Sequence, residues 1–170
     1  MRNVHGGAAD PEVRRTGLPI VYDPRAGDND ERSAQKFQEF AQEVGYGSGS
    51  TFRDEVISLI RLTATHCTTE HLSRDAFGCE DRHYFLDMGM ALLGGTREEY
   101  EADALRIRRE YGFLPENVYK ELRTKILRSF LEIPNIYATP DFRHHFEEQA
   151  RRNILNEVSR LSGGGDSTDV

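Results

Sequence analysis

The chain has 170 residues, and its 22 basic and 29 acidic side chains give it a net charge of −7. With 37% hydrophobic and 30% charged residues, the composition is typical of one globular domain with a well-solvated surface. The acidic balance argues against binding a nucleic-acid duplex or an anionic membrane through a basic face. No apolar run approaches the roughly 20 residues of a membrane span, and the first residues lack the apolar segment of a secretory signal. We therefore expect a cytoplasmic protein, with Cys67 and Cys79 as reduced thiols.

Apolar residues recur with helical spacing between residues 20 and 161, and no alternating strand pattern of useful length interrupts them. They predict a single all-α domain of about six helices around one core. Residues 1–19 are rich in Gly, Ala and charge and are predicted to form a poorly ordered arm. Residues 162–170 are predicted to form a flexible tail, because consecutive glycines disfavour a helix.

The first predicted helix has Asp28 or Asn29 as its N-cap and ends at the glycines of the connector Gly45–Gly49. A second helix follows from about Phe52. The inward face of the first helix is predicted to comprise Ala34, Phe37, Ala41 and Val44.

The third predicted helix runs from about Asp81 to Leu93. A capping box formed by Thr96 and Glu99 opens the fourth, and Pro115 lies in the first turn of the fifth. The sixth starts at Thr139–Pro140.

His66 is the first candidate for chemistry. If the second helix continues to His66, the imidazole lies three residues after Thr63 and seven after Leu59, on the buried stripe. A neutral imidazole that points inward is a natural ligand for a divalent transition metal. The alternative is a core histidine hydrogen-bonded to a backbone carbonyl, and spacing alone favours that alternative.

Asp87 is the second candidate, because it lies among Phe85, Leu86 and Met88. A buried carboxylate is costly unless a cation or several hydrogen-bond donors compensate it. A metal ion would be one such compensation and an arginine salt bridge another, and composition favours the salt bridge.

The other histidines are weaker candidates. His83 lies four residues before Asp87 on the same helical face, so the two could form a ligand pair. A histidine at a helix start is more often exposed, however. His71, His144 and His145 are expected at the surface.

Five sequence segments resemble, in order and with matching spacing, the predicted metal-dependent phosphohydrolases of the HD superfamily. The resemblance covers residues 20 to 161. The segments are VYDPRAGDNDERSA (Val21–Ala34), T-x-x-H (Thr63–His66), FLD-x-x-x-x-LLG (Phe85–Gly94), IRREY (Ile107–Tyr111) and FLEIP-x-IY (Phe130–Tyr137).

The resemblance implies a helical fold around one or two divalent ions, such as Mn, Fe, Ni, Mg or Zn. The metal lowers the pKa of a bound water, and the resulting hydroxide attacks the phosphoester of a nucleotide or another small phosphorylated molecule. Carried over to this chain, the metal ligands are His66 and Asp87, with Asn29, Glu31 and His83 lining a possible pocket. Glu31 could orient a water or cap its helix. No further catalytic residue is assigned.

The chain departs from the family pattern at its front. Residues 16–21 read TGLPIV where the family carries its His-Asp doublet, and Gly89 stands at a position that is acidic in the family. The sequence therefore predicts an N-terminally shortened HD-like domain with an incomplete metal site and impaired phosphohydrolase activity. The alternative is a non-catalytic helical binding or scaffold protein, whose uncovered apolar face contacts a protein partner or a second copy. An unrelated helical bundle is a third reading.

Overall fold

The computed structural model describes residues 20–163 of the chain. The arm predicted for residues 1–19 lies outside this range, as does the predicted tail from residue 164 onward. Within the range, the backbone forms helices and turns without a strand, so the predicted all-α class is confirmed. The α-helices are α1 (Asn29–Glu43), α2 (Thr51–Leu62), α3 (Thr69–Leu72), α4 (Asp81–Met90), α5 (Arg97–Glu110), α6 (Glu116–Glu132) and α7 (Pro140–Ser162). A 3₁₀ turn, Ala91–Gly94, follows α4 directly.

The described residues contain seven α-helices where the sequence predicted about six. The additional helix is α3, whose four residues are too few for apolar periodicity to show. The predicted third helix divides at Met90, after which the backbone tightens into the 3₁₀ turn. Pro115, expected within the first turn of its helix, is the N-cap of α6.

The chain divides into two compact units, with the boundary between Ala64 and Thr65. The first unit contains α1 and α2, joined by the predicted glycine connector. Gly45 and Gly49 both have φ of +94°, a left-handed conformation that glycine adopts without strain. Ser50 then caps α2 by accepting a hydrogen bond from the Arg53 N–H at 3.3 Å. The single domain expected over residues 20–161 stays a prediction.

Part of the predicted inward face of α1 is correct. Ala34 and Ala41 are buried, with 1% and 2% exposure. Val44, by contrast, is 51% exposed, because α1 ends at Glu43 and Val44 is its C-cap residue.

The second unit contains α3 to α7 and the larger hydrophobic core. Tyr137 is fully buried there, and its hydroxyl donates a hydrogen bond to the Met90 carbonyl at 3.0 Å. A Cβ on Gly94 would lie 2.5 Å from the Phe146 Cβ, so only a glycine lets the 3₁₀ turn approach α7 this closely. The buried core residues are Met90, Leu93, Tyr100, Leu127, Ile136, Tyr137, Ala150 and Ile154.

The sequence correctly predicted two helix starts in this unit. At the start of α5, the Glu99 N–H donates to Thr96 Oγ1 at 3.3 Å and the Thr96 N–H donates to Glu99 Oε2 at 2.8 Å. At the start of α7, Thr139 Oγ1 accepts from the Phe142 N–H at 3.4 Å, and proline occupies the first helical position.

A buried ion pair joins three helices of the second unit. The Arg123 guanidinium of α6 donates two hydrogen bonds to the Glu157 carboxylate of α7, at 2.9 and 3.1 Å. The Tyr100 hydroxyl of α5 donates a further short hydrogen bond to the same carboxylate. Burial would raise the pKa of Glu157, but the bonds and charge of Arg123 hold it below its usual value.

Cys67 and Cys79 are free thiols, as the sequence predicted. Between residues 20 and 163, no helix combines the length and apolarity needed to cross a membrane.

Candidate functional site

The Asp87 carboxylate lies inside the second unit and binds the chain segment that precedes α7. Its Oδ1 accepts a hydrogen bond from the Ala138 N–H at 2.8 Å, and its Oδ2 accepts one from the Thr139 N–H at 2.8 Å. The Thr139 hydroxyl donates a third hydrogen bond to Oδ2, at 2.6 Å. Asp87 is 0% exposed, so its expected burial is confirmed. The compensation comes from these three donors and not from an arginine salt bridge, which composition had favoured.

A second carboxylate binds the two residues that precede Ala138 in the same segment. Glu147 of α7 accepts hydrogen bonds from the Ile136 N–H at 2.9 Å and the Tyr137 N–H at 3.2 Å. Four consecutive backbone N–H groups, those of residues 136–139, therefore bind two carboxylates. A run of N–H groups favours an anion. Here the chain's own side chains supply the negative charge and fix the entry to α7.

His71 was expected at the surface, and that prediction was wrong: the residue is 1% exposed. It occupies the third position of α3, where its Nδ1 accepts a hydrogen bond from the Thr68 N–H at 3.0 Å. The proton of the neutral ring therefore lies on Nε2, which faces Asp87 Oδ1 at 3.9 Å. Burial lowers the pKa of His71 by more than the attraction of Asp87 raises it, so the imidazole is neutral at pH 7.

His83 repeats this arrangement at the start of α4. Its Nδ1 accepts from the Glu80 N–H at 3.1 Å, and its Nε2 lies 3.1 Å from Glu70 Oε2. The residue is 1% exposed, so the expected exposure of a histidine at a helix start was wrong. A Cβ on Gly78 would lie 2.3 Å from the His83 Cγ, so the ring packs directly against the glycine backbone. Because both ring nitrogens have these partners, His83 does not pair with Asp87.

Glu70 is the carboxylate that faces His83. Hydrogen bonds from the Thr68 hydroxyl and from its own backbone N–H lower the pKa of Glu70 to about 2. The ionised carboxylate therefore accepts a hydrogen bond from the Nε2–H of His83.

His66 is buried, with 7% exposure, but for a reason other than the predicted one. Since α2 ends at Leu62, His66 does not lie on a helical stripe; it follows the turn after α2 and has φ of +50°. A left-handed backbone is uncommon for a residue with a side chain. The polar partners of Asp87 are Ala138, Thr139 and His71, and His66 is not among them.

Asn29 and Glu31 lie in the first unit. The Asn29 amide donates to the Asp23 carbonyl at 2.7 Å and accepts from the Asp23 N–H at 2.9 Å, which orders the loop before α1. Glu31 does not cap its helix. It forms an exposed two-bond ion pair with Arg61 of α2, with both N···O distances 2.9 Å, and these bonds lower the pKa of Glu31.

The structure brings together a polar cluster of Glu70, His71, His83 and Asp87, only part of which was predicted. Glu70 and His71 were missed, although a shared spacing could have indicated them. Both buried histidines lie three residues after the residue that caps their helix, Thr68 for α3 and Glu80 for α4. Capping boxes usually carry Glu or Gln at that position, so histidine is easily overlooked.

Asp87, which the HD resemblance assigns to a metal ion, is bound instead by donors of the chain itself. The two oxygens of Asp87 accept three hydrogen bonds from residues 138 and 139, which occupy three of the roughly four lone-pair positions of a carboxylate. His71 and His83 bind backbone N–H groups through the nitrogens that carry their lone pairs. In the part of the chain that the structure describes, no group of three or more His, Cys, Asp and Glu side chains could hold a metal ion.

Comparison with known protein families, curated proteins and solved structures finds no match to this chain. The resemblance to the HD superfamily therefore rests on the sequence motifs alone.

Proposed function

We propose that this chain is a non-catalytic helical protein of HD-superfamily descent, which acts by binding and not by hydrolysing a phosphoester. The observation that carries the proposal is the engagement of Asp87 by three hydrogen-bond donors from residues 138 and 139. A metal ligand needs a lone pair that points toward an open site. Three of the roughly four lone-pair positions of Asp87 point instead at the segment that starts α7.

Hydrolysis through a metal-bound water requires three or four protein ligands and an open coordination position. In the polar cluster, the imidazoles of His71 and His83 each use the lone pair of Nδ1 for a backbone N–H. Their protonated nitrogens face carboxylates, so neither ring offers a lone pair to an ion. The cluster has the residue types of a metal site and the hydrogen bonding of a structural core.

A binding role is supported by the aromatic surface of the first unit, which we define as Phe40, Val44, Tyr46 and Phe52. These side chains are between 48% and 56% exposed. The rings of Tyr46 and Phe52 lie 5.4 Å apart, so these two side chains form one exposed aromatic pair. Aromatic side chains are enriched at protein–protein interfaces, and an exposed group of them marks a contact surface.

Metal content and phosphoester hydrolysis, measured together, test the proposal. The purified chain is incubated with Mn²⁺, Fe²⁺, Ni²⁺, Mg²⁺ or Zn²⁺, desalted, analysed for bound metal and assayed on a generic aryl phosphate. We expect that the wild type retains no stoichiometric metal after desalting. We also expect that it hydrolyses the aryl phosphate no faster than Asp87→Asn does. Stoichiometric metal, with turnover that Asp87→Asn abolishes, would establish the phosphohydrolase instead.

A stability measurement on the same variants shows what Asp87 does. Asp87→Asn places an amide among donors and should lower the free energy of unfolding by about 3 kcal/mol. Asp81→Asn, at an exposed position in the same helix, is the matched control and should change it by about 0.5 kcal/mol or less.

A further inference from the structure

The segment Thr68–Cys79, which we call the strap, is held mainly by its backbone carbonyls. Its two large apolar side chains, Leu72 and Phe77, are 59% and 55% exposed. Of the strap residues, only His71 and Gly78 are buried, and none belongs to the hydrophobic clusters of the described chain. A segment with few buried apolar contacts opens at a lower free energy than the core does.

Asn135, in the loop before α7, binds one part of the strap. Its side-chain amide donates to the Ser73 carbonyl at 2.8 Å and to the Glu70 carbonyl at 3.2 Å. Its backbone N–H donates to the His71 carbonyl at 3.1 Å. One residue thus satisfies the carbonyls at the end of α3.

Arg143 of α7 binds three backbone carbonyls of the strap between residues 70 and 76. Its Nη2 donates to the carbonyls of Glu70, at 2.8 Å, and Ala76, at 2.6 Å, and its Nη1 donates to that of Arg74 at 3.4 Å. The guanidinium also lies over the Phe77 ring, 4.5 Å from its centroid. A planar guanidinium has the forked geometry to reach several carbonyls at once, which an ammonium group lacks.

The strap contributes Glu70 and His71 to the polar cluster and packs against His83. Gly78 packs on the His83 ring, Glu70 faces His83 Nε2, and His71 faces Asp87. Opening the strap would expose the His83 ring and move His71 away from Asp87.

We propose that the strap opens as one unit while α5, α6 and α7 stay folded, and that the hydrogen bonds of Arg143 are the main contacts that hold it closed. The open state makes the imidazoles of His71 and His83 accessible to solvent and to small reagents. This inference rests on the carbonyl contacts and does not depend on the proposed function.

Hydrogen exchange of the full chain tests the proposal. The Gly78 amide, bonded to the Ala138 carbonyl at 2.9 Å, and the Asn135 amide report on the strap. In the wild type, both should exchange faster than amides in the middle of α7. Arg143→Lys should accelerate both by roughly ten- to thirtyfold, because several hydrogen bonds are lost, and leave the α7 amides unchanged. Arg152→Lys, whose exposed partner is Glu148, is the matched control and should have no effect.

A chemical probe gives a second readout that does not depend on amide rates. Diethyl pyrocarbonate should modify His83 and His71 faster in Arg143→Lys than in the wild type. The exposed His144 and His145 serve as an internal standard in each sample. Equal exchange rates for strap and α7 amides in the wild type would overturn the proposal. So would an Arg143→Lys variant that accelerates both regions by the same factor, or one that changes neither exchange nor histidine modification.

Discussion

A histidine at the third position of a helix can cap the backbone as a glutamine does, since its Nδ1 accepts the N–H of the N-cap residue. His71 and His83 both do so in this chain. That hydrogen bond fixes the tautomer and directs Nε2–H toward a carboxylate, Asp87 for His71 and Glu70 for His83. At the residue scale, side chains typical of a metal site therefore cap helices by accepting hydrogen bonds from the local backbone.

The neutral His71 ring makes folding sensitive to mild acid. Burial lowers the pKa of His71 below its ordinary value of 6.5, while Asp87 and Glu70 oppose this shift and Arg143 and His83 support it. The unfolded chain therefore takes up the proton first as the pH falls. The stabilisation is fully present above pH 6.5 and is lost as the pH falls through 6.5 toward the lower folded-state pKa.

His71→Gln is the matched variant, because glutamine keeps the backbone cap and does not titrate. Urea unfolding at several pH values between 7.5 and 5 should show the wild type losing stability relative to His71→Gln. A wild type that gains relative stability over this range would mean that attraction to Asp87 outweighs burial.

At the scale of elements, two of the contacts that position α7 lie at opposite ends of the helix. Gly94 allows the 3₁₀ turn to touch Phe146 near its start, and Glu157 joins it to α5 and α6 near its end. Each of these two contacts can be tested by one substitution.

We expect Gly94→Ala to destabilise the fold by about 1–3 kcal/mol, because the added methyl group would meet both the side chain and the backbone of Phe146. Gly47→Ala is the control: no atom lies within 4 Å of the added Cβ. It should be neutral or slightly stabilising. Thermal unfolding of both variants measures the difference, and equal midpoints would show that the 3₁₀ turn can move away from α7.

Removing the charge of Glu157 should cost about 3–5 kcal/mol, because Glu157→Gln leaves the buried Arg123 guanidinium without its counter-charge. Glu148→Gln, in the same helix, removes an exposed partner of Arg152 and should change the free energy of unfolding by about 0.5 kcal/mol or less. Urea unfolding measures the free energy of unfolding of both variants. Similar losses for both variants would contradict the account of a buried ion pair.

The sequence predicted elements where local patterns determine them. The capping box at Thr96, the glycine connector and the start of α7 follow from residue types within a few positions of each other. It failed where a contact joins distant residues. Nothing near Asp87 in the sequence indicates that residues 138 and 139 would bind it, some fifty positions away. His66 was misplaced because α2 ends one turn earlier than its periodicity suggested.

At the scale of the whole molecule, the described chain combines buried carboxylates that accept several hydrogen bonds each with an exposed aromatic surface on its first unit. Phe40 and Phe52 are 56% and 55% exposed, so their rings contribute little to the stability of the folded chain. Such side chains favour association with other apolar surfaces.

We therefore expect Phe40→Gln combined with Phe52→Gln to reduce the binding of a hydrophobic dye and any self-association, while the unfolding midpoint stays within a degree or two of the wild type. Dye fluorescence, sedimentation velocity and thermal unfolding measure the three properties. Substituting the buried Ile57 by Ala is the contrasting control and should lower the midpoint. A double variant that unfolds as readily as Ile57→Ala would show that the two rings belong to the core.

We propose that Asp87 binds the backbone before α7 and not a metal ion. The most direct test is the unfolding midpoint of the wild type and of Asp87→Asn, measured in EDTA and in excess Mn²⁺, Ni²⁺ or Zn²⁺. A ligand present at a hundredfold over its Kd stabilises the folded state by about 2.7 kcal/mol. We predict that no metal raises the wild-type midpoint and that Asp87→Asn unfolds earlier under every condition. A metal that stabilises the wild type and fails to stabilise Asp87→Asn would contradict the account.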